Sequence, residues 1–364
     1  MVTRLIRLTV VVIVLVVVGI VAVIAFRHLP MTPNLERPPE REPDIEFPVP
    51  SWYSFGAFFS PDGKQFVVYG GEKEWGRIDF WDFETKTKIR SIDLHIHVRG
   101  AVFTPDQAKV IAITGDRNIC IFGGQDWKLE RTIYTDRIWN DDIAILPDGE
   151  RFVTAGVHKL TVWKIRGSEV VTLKSKVQLI SLLLSKDCKH LAVYDGLLTE
   201  IWDTEQLTVA NRYPTSEGKA FVGLSFSPDE KWVARGWTER KKNSTKDKGV
   251  VTIWNRETFE EKTTLDAGFN EPDLLKFTND GKLLVCCTIS HSGTDGHVIH
   301  PKLLFWNVKT GKLVYVSQPY GGGVPILELS PDDRWIATRG EGDMIRLWDL
   351  RKIRHEIGEQ IQDD

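Results

Sequence analysis

Four residues in one short run, His291, Asp295, His297 and His300, are of the types that ligate Zn²⁺ or Cu²⁺. They lie in SHSGTDGHVIHP (290–301), whose spacing follows no established metal motif. A polar, glycine-containing loop accounts for them as well, so no metal site is expected. A second run, ERKKNSTKDK (239–248), sets Arg240, Lys241, Lys242, Lys246 and Lys248 against Glu239 and Asp247. Such a cluster suits an acidic partner or lipid headgroups; otherwise it is a solvated loop. Trp139 with Asp141 and Asp142 forms a third candidate contact. No P-loop, HExxH, GxGxxG, GxSxG or CxxC pattern occurs, and the glycines at 321–323 precede a strand, which suits a loop rather than a phosphate cradle. Cys286 and Cys287 occupy successive strand positions and point to opposite faces. Cys120 and Cys188 are expected to be buried small hydrophobes.

The elements that must carry these loops are announced by a repeated turn phrase. It reads SPDG at Ser60, TPDQ at Thr104, LPDG at Leu146, SKDC at Ser185, SPDE at Ser227, TNDG at Thr278 and SPDD at Ser330. Aspartate stands third in all seven (Asp62, Asp106, Asp148, Asp187, Asp229, Asp280, Asp332), where its side chain can bond the backbone two residues on. One and three positions before each phrase every residue is apolar, from Phe59 and Ala57 to Leu329 and Leu327. This period-2 alternation on both arms predicts a β-hairpin with one side turned to a core. A large aromatic follows each hairpin: Trp81, Phe122, Trp163, Trp202, Trp254, Trp306 and Trp348, mostly followed by Asp or Asn. The spacing stretches to 52 between Trp202 and Trp254 and again between Trp254 and Trp306. These insertions fall between the second and third strands of the fifth and sixth units and contain the basic and the histidine runs.

Four short strands per unit, the Ser-Pro-Asp-Gly turn and the closing Trp-Asp together resemble the WD40-repeat family, in a degenerate, bacterial-type form. The resemblance spans residues 44–350 and implies an all-β, seven-bladed propeller. No Gly-His dipeptide opens any unit, so the family's Asp-His-Ser/Thr-Trp hydrogen-bond tetrad cannot form in its usual way.

Ahead of the repeats, residues 8–26 (LTVVVIVLVVVGIVAVIAF) carry no charge. As a helix they would cover ~28 Å, close to the ~30 Å hydrocarbon core. The run exceeds a usual signal-peptide core, which favours an uncleaved anchor. Arg4 and Arg7 before it place residues 1–7 in the cytoplasm and the propeller outside. Residues 27–43 hold five prolines and read as an extended linker. Closure of the ring needs a fourth strand for the last unit, and the offset from the first turn phrase assigns it to Ile45, Glu46 and Phe47. The tail 351–364 lacks strand alternation and reads as a short helix.

Composition sets the remaining bounds. With 42% apolar and 27% charged residues and a net charge of −3 the chain is globular and lacks the basic surplus of a nucleic-acid binder. Four cysteines are too few for a disulfide scaffold. The expected function is a non-catalytic, membrane-anchored platform for a protein or peptide partner, without cofactor. The alternative is an extracytoplasmic propeller enzyme, quinoprotein- or lactonase-like, with its site at the central channel. No polar residue recurs at the channel-facing strand starts.

Overall fold

The computed structural model describes residues 43–358 except 49–53, 125, 136–141, 168, 178–180, 196–197, 215–218, 240–247, 259, 269–270, 290, 293–297, 300–301, 318–325 and 340–343. The predicted anchor and linker lie outside the described residues, among which no helix is long and apolar enough to cross a membrane.

Seven four-stranded antiparallel sheets are found among the described residues. Blade one is Ser54–Phe59, Gln65–Glu72, Trp75–Asp82 and Lys88–Leu94, in that spatial order. The first strand of each blade is innermost: Ser54–Phe59 touches its counterpart Val98–Phe103 in blade two and Leu327–Leu329 in blade seven, so the circle is closed. The molecule is a seven-bladed β-propeller. Blade seven completes itself as the offset requires. Its strands Leu327–Leu329, Trp335–Arg339 and Met344–Asp349 are joined by Ile45–Pro48, with Ile45 opposite Leu347 and Phe47 opposite Ile345. Pro48 is tolerated on this outermost strand because no further strand needs its missing N–H. A helix, α1 (Leu350–Ile357), follows directly, capped by Asp349, whose carboxylate accepts from the Arg351 N–H. Leu350, Ile353 and Ile357 are buried between blades six and seven. Asp44 ties the two chain ends together: its carboxylate accepts from the Asp349 N–H (2.8 Å) and from Lys352 Nζ (2.5 Å).

The apolar sides of each blade feed two different inter-blade cores. Cys286 packs with Val251, Ile253 and Trp306 toward blade five, whereas its neighbour Cys287 packs with Leu327, Ile336 and Trp348 toward blade seven. Cys120 is buried as expected. Cys188 is not: it is half-buried, at the apex of a turn with φ 58°, where the backbone points a side chain outward.

The turn phrases are built by one repeated network. Asp62, Asp106, Asp187, Asp229, Asp280 and Asp332 each accept from the hydroxyl opening the phrase and from the backbone N–H two residues on. The same hydroxyl accepts from the N–H five residues on, for example Gln65 to Ser60 at 2.9 Å. In blade three, where Leu146 offers no hydroxyl, Asp148 takes that second N–H itself, from Arg151.

Neighbouring turns also match one another. Where the phrase with proline second is that of blade two, five or seven, the next blade carries glycine fourth and the ring sits against it, whereas Pro61 and Pro147 are followed by Gln107 and Cys188. Pro105 lies 3.8 Å from where a β-carbon on Gly149 would stand, Pro228 3.7 Å from that of Gly281, and Pro331 3.5 Å from that of Gly63. In blades four and six the second residue is Lys186 or Asn279, which leaves a free N–H. There the next blade carries a carboxylate fourth. Glu230 accepts from the Lys186 N–H (3.0 Å) and Asp333 from the Asn279 N–H (2.9 Å). Both acids hold the left-handed backbone that glycine holds elsewhere (φ 60° and 59°), at some cost in strain.

Candidate functional site

Antiparallel strands send alternate connections to opposite faces of the ring. The turn phrases and α1 occupy one face, here the turn face. The second-to-third-strand connections and the entries to the inner strands occupy the other, the loop face. Both insertions open on the loop face. In blade five the stem is Glu239 opposite Lys248; in blade six the strand Leu283–Ile289 runs on to a small ladder pairing His291 with Ile299 and Ser292 with Val298.

Of the sequence candidates, Arg240, Lys241, Lys242, Lys246, Trp139, Asp141, Asp295, His297 and His300 lie outside the described residues. His291 stands on the small ladder. Lys248 forms an ion pair with Asp266 across its own blade (2.9 Å). Asp142 accepts from the Leu182 N–H (2.9 Å) and so ties blade three to blade four at the channel mouth.

Around that mouth the inner strands bring together groups that the repeat pattern does not reveal. Ser181, opposite Tyr194 in blade four, hydrogen-bonds the Tyr194 phenol, which also feels the Asp142 and Asp273 carboxylates. Burial and these two negative charges push the phenol up, so it stays a proton donor. Asp273 is the extra residue of a β-bulge in the inner strand Glu271–Phe277, where pairing slips between Pro272 and Leu274. The bulge presses on the neighbouring blade so closely that a β-carbon on Gly223 would lie 2.2 Å from the Asp273 carbonyl oxygen. Only glycine fits there. Burial, and then the charge of Glu271, push the Asp273 carboxyl up to about 6. Further along the inner strands, Lys276 pairs with Glu328 of blade seven (3.3 Å).

The mouth is therefore an acidic ring segment with one phenol donor and one carboxyl that exchanges its proton near neutrality. It can hold a cationic side chain or ammonium group, and Asp273 can in principle move a proton. Among the described residues no three metal-ligating side chains converge at this mouth. A search for recurring polar residues misses this set because the bulge shifts register: Asp142 and Ser181 stand four positions before their turn phrases and Asp273 five. The available signal was Pro272-Asp273 at the head of an inner strand that already carries Glu271.

No family model matches the chain, and no curated protein does. Among solved structures, one described as Kuenenia stuttgartiensis Hydrazine Synthase is similar at a TM-score of 0.67 and 16% identity, covering 81% of this chain and 95% of that one. At such identity the likeness speaks for the propeller fold alone.

Proposed function

We propose that this chain is a non-catalytic, WD40-like interaction platform that binds a protein or peptide partner on its loop face and is held at a membrane by residues 8–26. The observation that carries the reading is the concentration of variation on one face. Two adjacent blades bear the insertions there, beside an acidic channel mouth, while the opposite face is cross-tied turn to turn and free to act as a rigid base. The WD40 affinity rests on the turn phrases, the closing Trp-Asp and one surviving leg of the tetrad: Trp163 Nε1 donates to Thr154 (2.8 Å) and Trp348 Nε1 to Thr338 (2.9 Å). The positive residues before the apolar segment favour a propeller outside the cytoplasm.

Site-specific photo-crosslinking in the native membrane tests this. A crosslinker at Lys248, on the loop face, should capture a defined partner, and deletion of 240–247 should abolish capture without changing the thermal midpoint. A crosslinker at Lys282, on the turn face, should capture none. Equal capture from both faces, or none from Lys248, would overturn the proposal.

One observation favours the enzyme reading instead: Asp273, with its raised pKa, shares the mouth with Tyr194. Turnover of a lactone or alcohol panel by the full chain, abolished in Asp273→Asn, would replace the platform reading.

A further inference from the structure

On the turn face, blades four and five bring together a ligand set that the sequence scatters. Asp187 and His190 belong to the turn phrase of blade four and the strand after it; Glu230 comes from the turn of blade five. One potential ligand atom of each lies within 4.8 Å of the other two. Atoms so spaced lie at most about 2.8 Å from a common centre, so inward shifts of roughly 0.7 Å bring all three to Zn²⁺ bonding distance.

The hydrogen bonds leave the required oxygens available. Asp187 uses Oδ1 for the Ser185 hydroxyl and the Lys189 N–H (2.7 and 3.0 Å), and no bond to its Oδ2 is made among the described residues. Glu230 uses Oε1 for the Lys186 and Asp187 N–H groups (3.0 and 3.4 Å). Its Oε2 is buried and has no hydrogen-bond partner among the described residues. A buried carboxylate oxygen without a donor is costly, and a cation is the group that satisfies it. These anchoring bonds also fix both carboxylates in place, as the outer shell of a metal site does. A guanidinium stands at the edge: Arg256 Nη1 lies 2.5 and 2.8 Å from the two ring nitrogens of His190. It competes for the imidazole lone pair and must swing outward. The thiol of Cys188 points to the Lys186 carbonyl oxygen (3.9 Å) and is not a ligand in this arrangement.

We infer that Asp187, His190 and Glu230 form a Zn²⁺ site that staples blade four to blade five on the turn face, with water completing the coordination. One imidazole and two carboxylates suit Zn²⁺ better than Ca²⁺ or Mg²⁺. The site is independent of the loop-face reading and of the histidine run at 291–300.

The test is Zn²⁺ titration of the full chain by calorimetry, with thermal unfolding in parallel. One equivalent should bind at micromolar concentration and raise the melting midpoint. Glu230→Gln and His190→Gln, which keep size and polarity, should weaken binding by roughly tenfold or more, whereas a His297→Ala/His300→Ala variant should keep it. Arg256→Gln removes the competing cation and should tighten binding, a change that a merely structural role for these residues does not produce. Absence of binding, binding untouched in both Gln variants, or weaker binding in Arg256→Gln would overturn the assignment.

Discussion

Asp273 and Asp106 show one residue type pushed in opposite directions by position. Asp106 is held below the usual carboxylate range by the Thr104 hydroxyl and the Ala108 N–H. It stabilises the fold above its unfolded value, and that contribution disappears as pH falls through its folded one. Asp62, Asp148 and Asp187 are lowered in the same direction, so acid loosens the turns of blades one to four. Asp273 has the reverse sign. With a folded pKa raised to about 6 from 3.8, it takes up a proton more readily in the fold than in the unfolded chain, so stability falls as pH rises between those values and the penalty persists above them. Asp273→Asn should therefore raise the melting midpoint at pH 7.5 and leave it unchanged at pH 3.5. Equal effects at both pH values would show that the carboxyl is not desolvated as described. The shift of Asp273 was not legible in the sequence, because its largest cause is burial, which packing against another blade sets; only the smaller one, the charge of Glu271, is local. The seven turn aspartates were legible, because their partners lie within five residues.

At the scale of elements, what the sequence disclosed and what it hid follow the same division. Hairpins, the short terminal helix and the closing strand at Ile45–Pro48 follow from local pattern and a fixed offset. The bulges, the contact of Gly223 with blade six and the matching of adjacent turns depend on residues some 40 positions or more apart, and no local rule links them. The matching is testable as a coupling. In the presence of a chelator, Lys186→Pro alone leaves the Glu230 cap without its main donor and should cost about 1–2 kcal/mol. Combined with Glu230→Gly it recreates the proline–glycine pair seen between blades five and six. The double variant should then be more stable than the sum of the two single effects by at least ~0.5 kcal/mol. Strict additivity in urea melts would mean the turns do not sense each other.

For the molecule as a whole, stability hinges on how the two chain ends meet. The strand Ile45–Pro48 covers what would otherwise be the bare edge of Met344–Asp349. Helix α1 plugs the adjoining core, and its Arg354 reaches Asp280 (3.0 Å) in blade six and Asp333 (2.9 Å) in blade seven. Deletion of residues 44–50 should lower the melting midpoint sharply, and amide exchange should rise first in Met344–Asp349. An unchanged melt would show that α1 alone seals the ring. Ile353, with no exposed surface, is the matching position on the helix, where truncation to Ala should cost about 2–5 kcal/mol.

The paired turns carry a consequence beyond stability: after blades four and six they act as an address for the sector that follows. A turn with proline second is followed by glycine at three junctions and by Gln107 or Cys188 at the other two, whereas each turn with an open N–H at that position is followed by an acid. Circular permutation, which preserves every neighbour, should be tolerated. Shuffling or duplicating single sectors breaks these matches and should misassemble. Genetic drift at one turn is thus constrained by the identity of the turn beside it.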